Sequence, residues 1–199
     1  MSISLAIIII TCIVSITSFN RPNAIDDLSM WPVMIDSKKQ YYRFITSGFV
    51  HGDWQHLIFN MFTLYFFGPV IEEALLPPVY FVGFYLLGLI ISDLPSYFKH
   101  RKSYGYRAIG ASGAISGLVM ASVLLDPWAK IGIFGIIPVP AILYAVLYIF
   151  YCIYAGRRGG DNINHDAHLW GGLYGVIFCV ILYPSLIQYF LQQLMHPRF

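Results

Sequence analysis

The chain has 199 residues, of which 58% are hydrophobic, 17% aromatic and only 11% charged, with a mean hydropathy of +0.67. This balance argues against a soluble domain, and several apolar runs approach the ~20 residues that cross a bilayer. The net charge of +2 is spread through loops and offers no nucleic-acid surface, while Cys12, Cys152 and Cys179 all lie in apolar runs and do not form a secreted disulfide framework.

In chain order, a first span is expected at about 3–19, rich in isoleucine and free of charge. It lacks a basic leader and a small-residue cleavage site, so it reads as an uncleaved helix, not a signal peptide. Residues 20–53 mix Asp26, Asp27, Lys38, Lys39 and Arg43 with Trp31, Tyr41 and Tyr42, which suits a long interfacial loop. A second span at about 54–71 ends in Glu72-Glu73, expected to cap that helix end and to bind N–H groups of the next loop. The third, at about 79–91, is short and interrupted by Gly83 and Gly88. After a polar loop with Lys99, His100, Arg101, Lys102 and Arg107, a fourth runs over about 112–126. The fifth, at about 131–154, carries Pro138 and Pro140 near its start, and its tyrosines read as packing and lipid contact or as a lateral gate. Gly156-Arg157-Arg158-Gly159-Gly160 reads as a mobile connection to a sixth span at about 168–191, with Pro184 as a kink. The expected fold is an all-α polytopic membrane protein, a six-helix bundle in a single domain over 1–199.

Three polar constellations interrupt this apolar pattern. Gly110-Ala111-Ser112-Gly113 places a small nucleophile in the first turn of the fourth helix, where unpaired N–H groups and the helix dipole favour a developing negative charge. Gly113 and Gly117 are four apart on one face, and Gly171 and Gly175 repeat the spacing just after His168. Small residues at that interval let helices approach closely, and packing the two faces brings hydroxyl and imidazole to one depth. That pair is a nucleophile and its general base. In the second span His56 and Asn60 project from one face and can hold a carbonyl oxygen as it becomes an oxyanion. Polar side chains in a span must face protein or water, so a polar cavity is expected around these four. His165 and His168 with His51 and His56 could instead gather a metal, but no acidic or cysteine ligand accompanies them convincingly in the sequence.

With these motifs in this order, the chain resembles the rhomboid family of intramembrane serine proteases, of the compact six-helix bacterial type. The resemblance implies a Ser112–His168 dyad without a carboxylate, and an oxyanion hole from His56, Asn60 and the Ser112 N–H. It implies transmembrane protein substrates in a lipid bilayer, no metal or organic cofactor, and a bacterial cytoplasmic membrane. His51 and Glu72 match the family's spacing as supporting residues. Three features depart from it. Ser116 stands where rhomboids place an aromatic that stacks on the catalytic histidine, leaving Trp170 or Tyr174 as substitutes. Tyr42-Arg43 stands for a Trp-Arg loop motif. Family topology would also put most basic residues outside, leaving only Lys130 and Arg198 inside, against the positive-inside rule. The alternative function is a catalytically silent relative that binds transmembrane helices, a role needing the cavity but not the dyad.

Overall fold

α1 (Ile3–Ser18) opens the chain in the computed structural model, which describes residues 2–133, 136–160 and 163–197. Ser2 caps its first turn by accepting from the Leu5 N–H. Glu72 reaches the same turn from a distant helix, accepting from Ile3 N at 2.6 Å, Ser4 N at 3.0 Å and Ser4 Oγ at 2.9 Å. A carboxylate there meets both unpaired amides and the positive end of the dipole. Glu72 therefore ties two helices together, where the sequence suggested a bond to the loop that follows it.

The stretch 20–53 is not an open loop. It folds into α2 (Pro22–Leu28), α3 (Pro32–Lys38), α4 (Arg43–Thr46) and a 3-10 turn at Ser47–Phe49. Prolines start α2 and α3, at positions where a missing N–H costs nothing. Arg43 is buried among them and donates to the carbonyls of Asp26 and Ser29 and to Gln40 Oε1. Arg107 lies 3.8 Å over the Trp31 ring and pairs with Asp26 at 2.9 Å. Basic residues used in this way are weak voters on orientation, and Arg198, counted on the opposite side above, lies outside the described residues.

The longer helices follow as α5 (Trp54–Ala74), α6 (Pro78–His100), α7 (Ser112–Leu125), α8 (Ala141–Arg158) and α9 (His165–Leu182), with α10 (Ser185–Leu194) after them. The third expected span extends to His100, because Gly88 sits inside the helix, with α7 so near that an added Cβ would lie 3.2 Å from Ala114. The fifth is shorter than expected: its first part is a hairpin of β1 (Lys130–Ile133) and β2 (Ile137–Pro140), with Lys130 opposite Pro140. Pro138 and Pro140 would break a helix interior but are tolerated in a strand that, among the described residues, pairs only with β1. The sixth begins at His165 and stops at Leu182, where Tyr183-Pro184 separates α10. Among the described residues, α6 and α9 are long and apolar enough to cross a membrane, and α1 and α7 are shorter apolar helices. The architecture is mostly helical.

α7 is the buried centre. Leu118 and Ala121 pack with Leu64 of α5 and Phe81 and Phe84 of α6 in one core. A Cβ on Gly113 would collide with Ser92 of α6, and Cβ atoms on Gly171 and Gly175 would collide with the carbonyl groups of Gly113 and Gly117. Only glycine allows two helix backbones to lie this close. The outer faces carry Phe62, Tyr65 and Phe66 on α5, Phe150 and Tyr154 on α8, and Ile181 on α9, all exposed. Exposed large apolar side chains in this number call for a lipid or protein partner.

His51 lies between the 3-10 turn and α5, buried, with Nδ1 3.0 Å from Ser15 Oγ of α1 and its ring 4.7 Å from that of His56. Burial, followed by the neighbouring His56, pushes its pKa down from 6.5 to about 3. Between those values the unfolded chain takes up a proton that the folded chain excludes, so stability falls as pH drops through the window. The thermal midpoint in detergent should therefore decline below pH 6.5, and less steeply in His51→Gln; equal slopes would remove His51 as the cause. Glu72→Gln should lower stability by about 1–2 kcal/mol through the three bonds to α1, read as a lower thermal midpoint; an unchanged midpoint would show that the tie carries no net energy.

Candidate active site

The segment before α7 is strapped down before the helix starts. Met30 and Ala108 exchange backbone hydrogen bonds of 2.9 and 3.0 Å, and Gly110 N donates to Ser47 O at 2.8 Å. Gly110 has φ of +107°, a conformation that disfavours side chains. Its missing Cβ also makes room for His56, whose Nε2 would lie 2.5 Å from that atom. Ala111 follows without any side-chain cap, and Ser112 occupies the first turn of α7. The N-terminus is thus left to present its amides.

His168 sits in the first turn of α9, and its Nε2 lies 2.8 Å from Ser112 Oγ. The start of α9 is fixed by Asn164, which accepts from Ala167 N at 3.1 Å and from Ser96 Oγ of α6 at 2.8 Å. A polar bond to α6 therefore sets the height at which the imidazole meets the serine. Asn164 stands in the sequence as an ordinary N-cap three residues before a helical amide, a signal that was there to be read.

Ser116 does not leave His168 without an aromatic neighbour. Tyr148 of α8 is stacked on the imidazole, with ring centroids 6.3 Å apart and planes inclined by 16°. Its hydroxyl lies 2.7 Å from Ser116 Oγ, which also donates to Ser112 O at 2.7 Å. Tyr144 stacks on the outer side of Tyr148 at 5.6 Å. The aromatic missing from α7 is supplied by α8, and the small Ser116 leaves space for it. Tyr174 is engaged elsewhere, donating to Phe84 O at 2.9 Å, and Trp170 is exposed. Neither substitute named from the sequence stacks on His168 among the described residues.

His56 and Asn60 rise from the start of α5, where Asp53 caps the helix by accepting from His56 N at 2.8 Å. Asn60 Nδ2 donates to His56 O at 2.9 Å, which leaves a second amide hydrogen on that nitrogen. His51 supports His56 from behind, edge to face. A cavity of about 990 Å³ is lined by His56, Asn60, Ser112, Tyr148, His165 and His168 among others. Glu72 is not among its lining residues. The four histidines weighed as a metal cluster form two ring pairs, His51 with His56 and His165 with His168. The third potential ligand beside the latter pair is Cys152 of α8. Chemically, the cavity holds a hydroxyl bonded to an imidazole, a helix N-terminus under the hydroxyl, and an imidazole and an amide on its wall. This set can add an alkoxide to a carbonyl and stabilise the resulting oxyanion.

Residues 38–185 match the Rhomboid domain. Rhomboid-like protein 11, chloroplastic, of Arabidopsis thaliana is 33% identical over 156 residues, covering 73% of this chain and 54% of that protein. RHOMBOID-like protein 12, mitochondrial, of the same plant is 31% identical, covering 67% and 44%. A Bacillus subtilis protein provisionally named rhomboid protease YdcA is 30% identical, covering 66% and 62%. The chain spans about half the length of the first two relatives. Two of these names are organellar and one protein is bacterial, so the likeness does not support the bacterial cytoplasmic membrane expected above. The match over most of the chain makes this protein a member of the rhomboid family, whose proteins are embedded in membranes.

Proposed function

We propose that the protein is an intramembrane serine endopeptidase, with α1 and α5 to α9 as six spanning helices of one domain. The observation that carries this reading is the 2.8 Å contact between Ser112 Oγ and His168 Nε2 inside a cavity shared with His56 and Asn60. His168 takes the Ser112 proton as Oγ bonds to the scissile carbonyl carbon. The oxygen becomes an oxyanion held by the Ser112 N–H, the His56 imidazole and the Asn60 amide. As the intermediate collapses, the C–N bond breaks and His168 returns the proton to the leaving amine. Water, activated by the same imidazole, then releases the acyl group.

A helix of 14 residues is about 21 Å long, shorter than the hydrocarbon core. Ringed by other helices, α7 need not match the bilayer, so Ser112 can lie below the membrane surface with the cavity as its water supply. Substrates are membrane proteins whose transmembrane segments unwind near their ends to reach it. The silent helix-binding alternative drew its support from the aromatic missing at position 116, and Tyr148 removes that support.

Fluorophosphonate labelling read by intact mass tests the reading without knowledge of a substrate. One adduct on Ser112 is expected, absent from Ser112→Ala and His168→Ala, with labelling slowed on the order of 10²-fold in His56→Ala or Asn60→Ala. Normal labelling of folded His168→Ala would sink the dyad. Tyr148→Phe, which keeps the ring, should retain most activity, whereas Tyr148→Ala should lower kcat with little change in KM. Ser116→Tyr alone should be poorly tolerated, because Tyr148 fills that space, and the double change with Tyr148→Ser should recover activity. Equal rates in Tyr148→Ala and wild type would show that the stack does not position His168.

A further inference from the structure

Cys152, His165 and His168 offer one ligand atom each, all within 4.8 Å of one another. His165 and His168 are three apart on α9 and so share a face, while Cys152 comes from α8 opposite. Cys152 and His165 are buried and His168 is half-buried. The two histidines line the 990 Å³ cavity, which gives a hydrated ion a route in. Neither the dyad nor the oxyanion wall makes use of Cys152 or His165.

We propose that these three side chains form a binding site for a soft divalent metal ion, Zn²⁺ above all, and that occupancy switches off the Ser112–His168 pair. A thiol and two imidazoles with no carboxylate select zinc-like ions over Mg²⁺ or Ca²⁺. Zinc bonds of about 2.0–2.1 Å to nitrogen and 2.3 Å to sulfur put ligand atoms roughly 3.3–3.8 Å apart, so closing on the ion needs a movement of about 1 Å. Binding replaces the Cys152 thiol proton, which leaves to water, and forms one Zn–S and two Zn–N bonds as bound waters depart, with one position left to a water. Bound through Nε2, the ion takes the imidazole from Ser112; bound through Nδ1, its charge weakens Nε2 as a base. Both modes inhibit.

The inhibitory half rests on the peptidase reading, and the binding half does not. The test titrates Zn²⁺ into chelator-treated protein in detergent, follows fluorophosphonate labelling, and compares wild type with Cys152→Ser and His165→Gln. Changes outside the ligand shell alone cost roughly 10- to 100-fold in metal affinity, so loss of a ligand should raise the half-inhibiting zinc at least about tenfold. Cys152→Ser should keep its metal-free labelling rate, EDTA should restore wild type, and Mg²⁺ should do nothing. In parallel, Co²⁺ is added to Ser112→Ala, where a thiolate-to-cobalt charge-transfer absorption is expected and should vanish when Cys152→Ser is added. No such absorption overturns the site, and equal zinc sensitivity in Cys152→Ser and wild type overturns inhibition through it. Cobalt bound through the thiolate in a protein that never labels would keep the site and overturn the inhibition together with the peptidase reading.

Discussion

The contact between the backbones of α7 and α9 is the constraint on which the other features depend. Gly171 and Gly175 lie directly against the carbonyl groups of Gly113 and Gly117, and a methyl group at either position has nowhere to go. Between helices in a bilayer there is little hydrophobic drive, since lipid is as apolar as leucine, so close van der Waals packing must hold them. The seam starts one residue after Ser112 and three residues after His168. Its closeness therefore sets the reach between the two side chains, and Asn164, bonded to Ser96, sets their relative height.

A second scaffold lies outside the long helices. Arg43 of α4 binds the carbonyls of Asp26 and Ser29 at the end of α2 and lies 5.9 Å from the Trp31 ring at the start of α3, and Arg107 joins Trp31 and Asp26 from the segment that leads to α7. That segment is then held by the Met30–Ala108 bridge and by Ser47 against Gly110. Positive φ at Gly110 and a Cβ-free face toward His56 are the local results. Glycine adopts this φ without strain, and any other residue at this position would be strained as well as crowded by His56.

α8 contributes more to the site than its sequence suggests. Tyr148 stacks on His168 and bonds Ser116, so the ring beside the imidazole comes from a helix other than the one that bears the serine. Cys152, one turn further along α8, faces the same pair of histidines. The imidazole is thus sensitive to where α8 lies, by packing on one side and by ligand chemistry on the other.

Composition and periodicity alone determined the helical membrane character, and the order of the three motifs determined the family, because both are written in short-range spacing. The proximity of Ser112 to His168 was legible for the same reason: glycines at an interval of four mark the contact face, with Ser112 one residue before the first on α7 and His168 three residues before the first on α9. The hairpin at 130–140 was signalled by Pro138 and Pro140, yet an apolar run concealed it. The helices within 20–53 were hidden because polar composition does not reveal that a buried Arg43 binds the carbonyls of Asp26 and Ser29. Only the tertiary structure decided where Glu72 points, which ring faces His168, and that a cysteine joins His165. Each is a contact between residues far apart in the chain, and no local pattern encodes which distant side chain arrives.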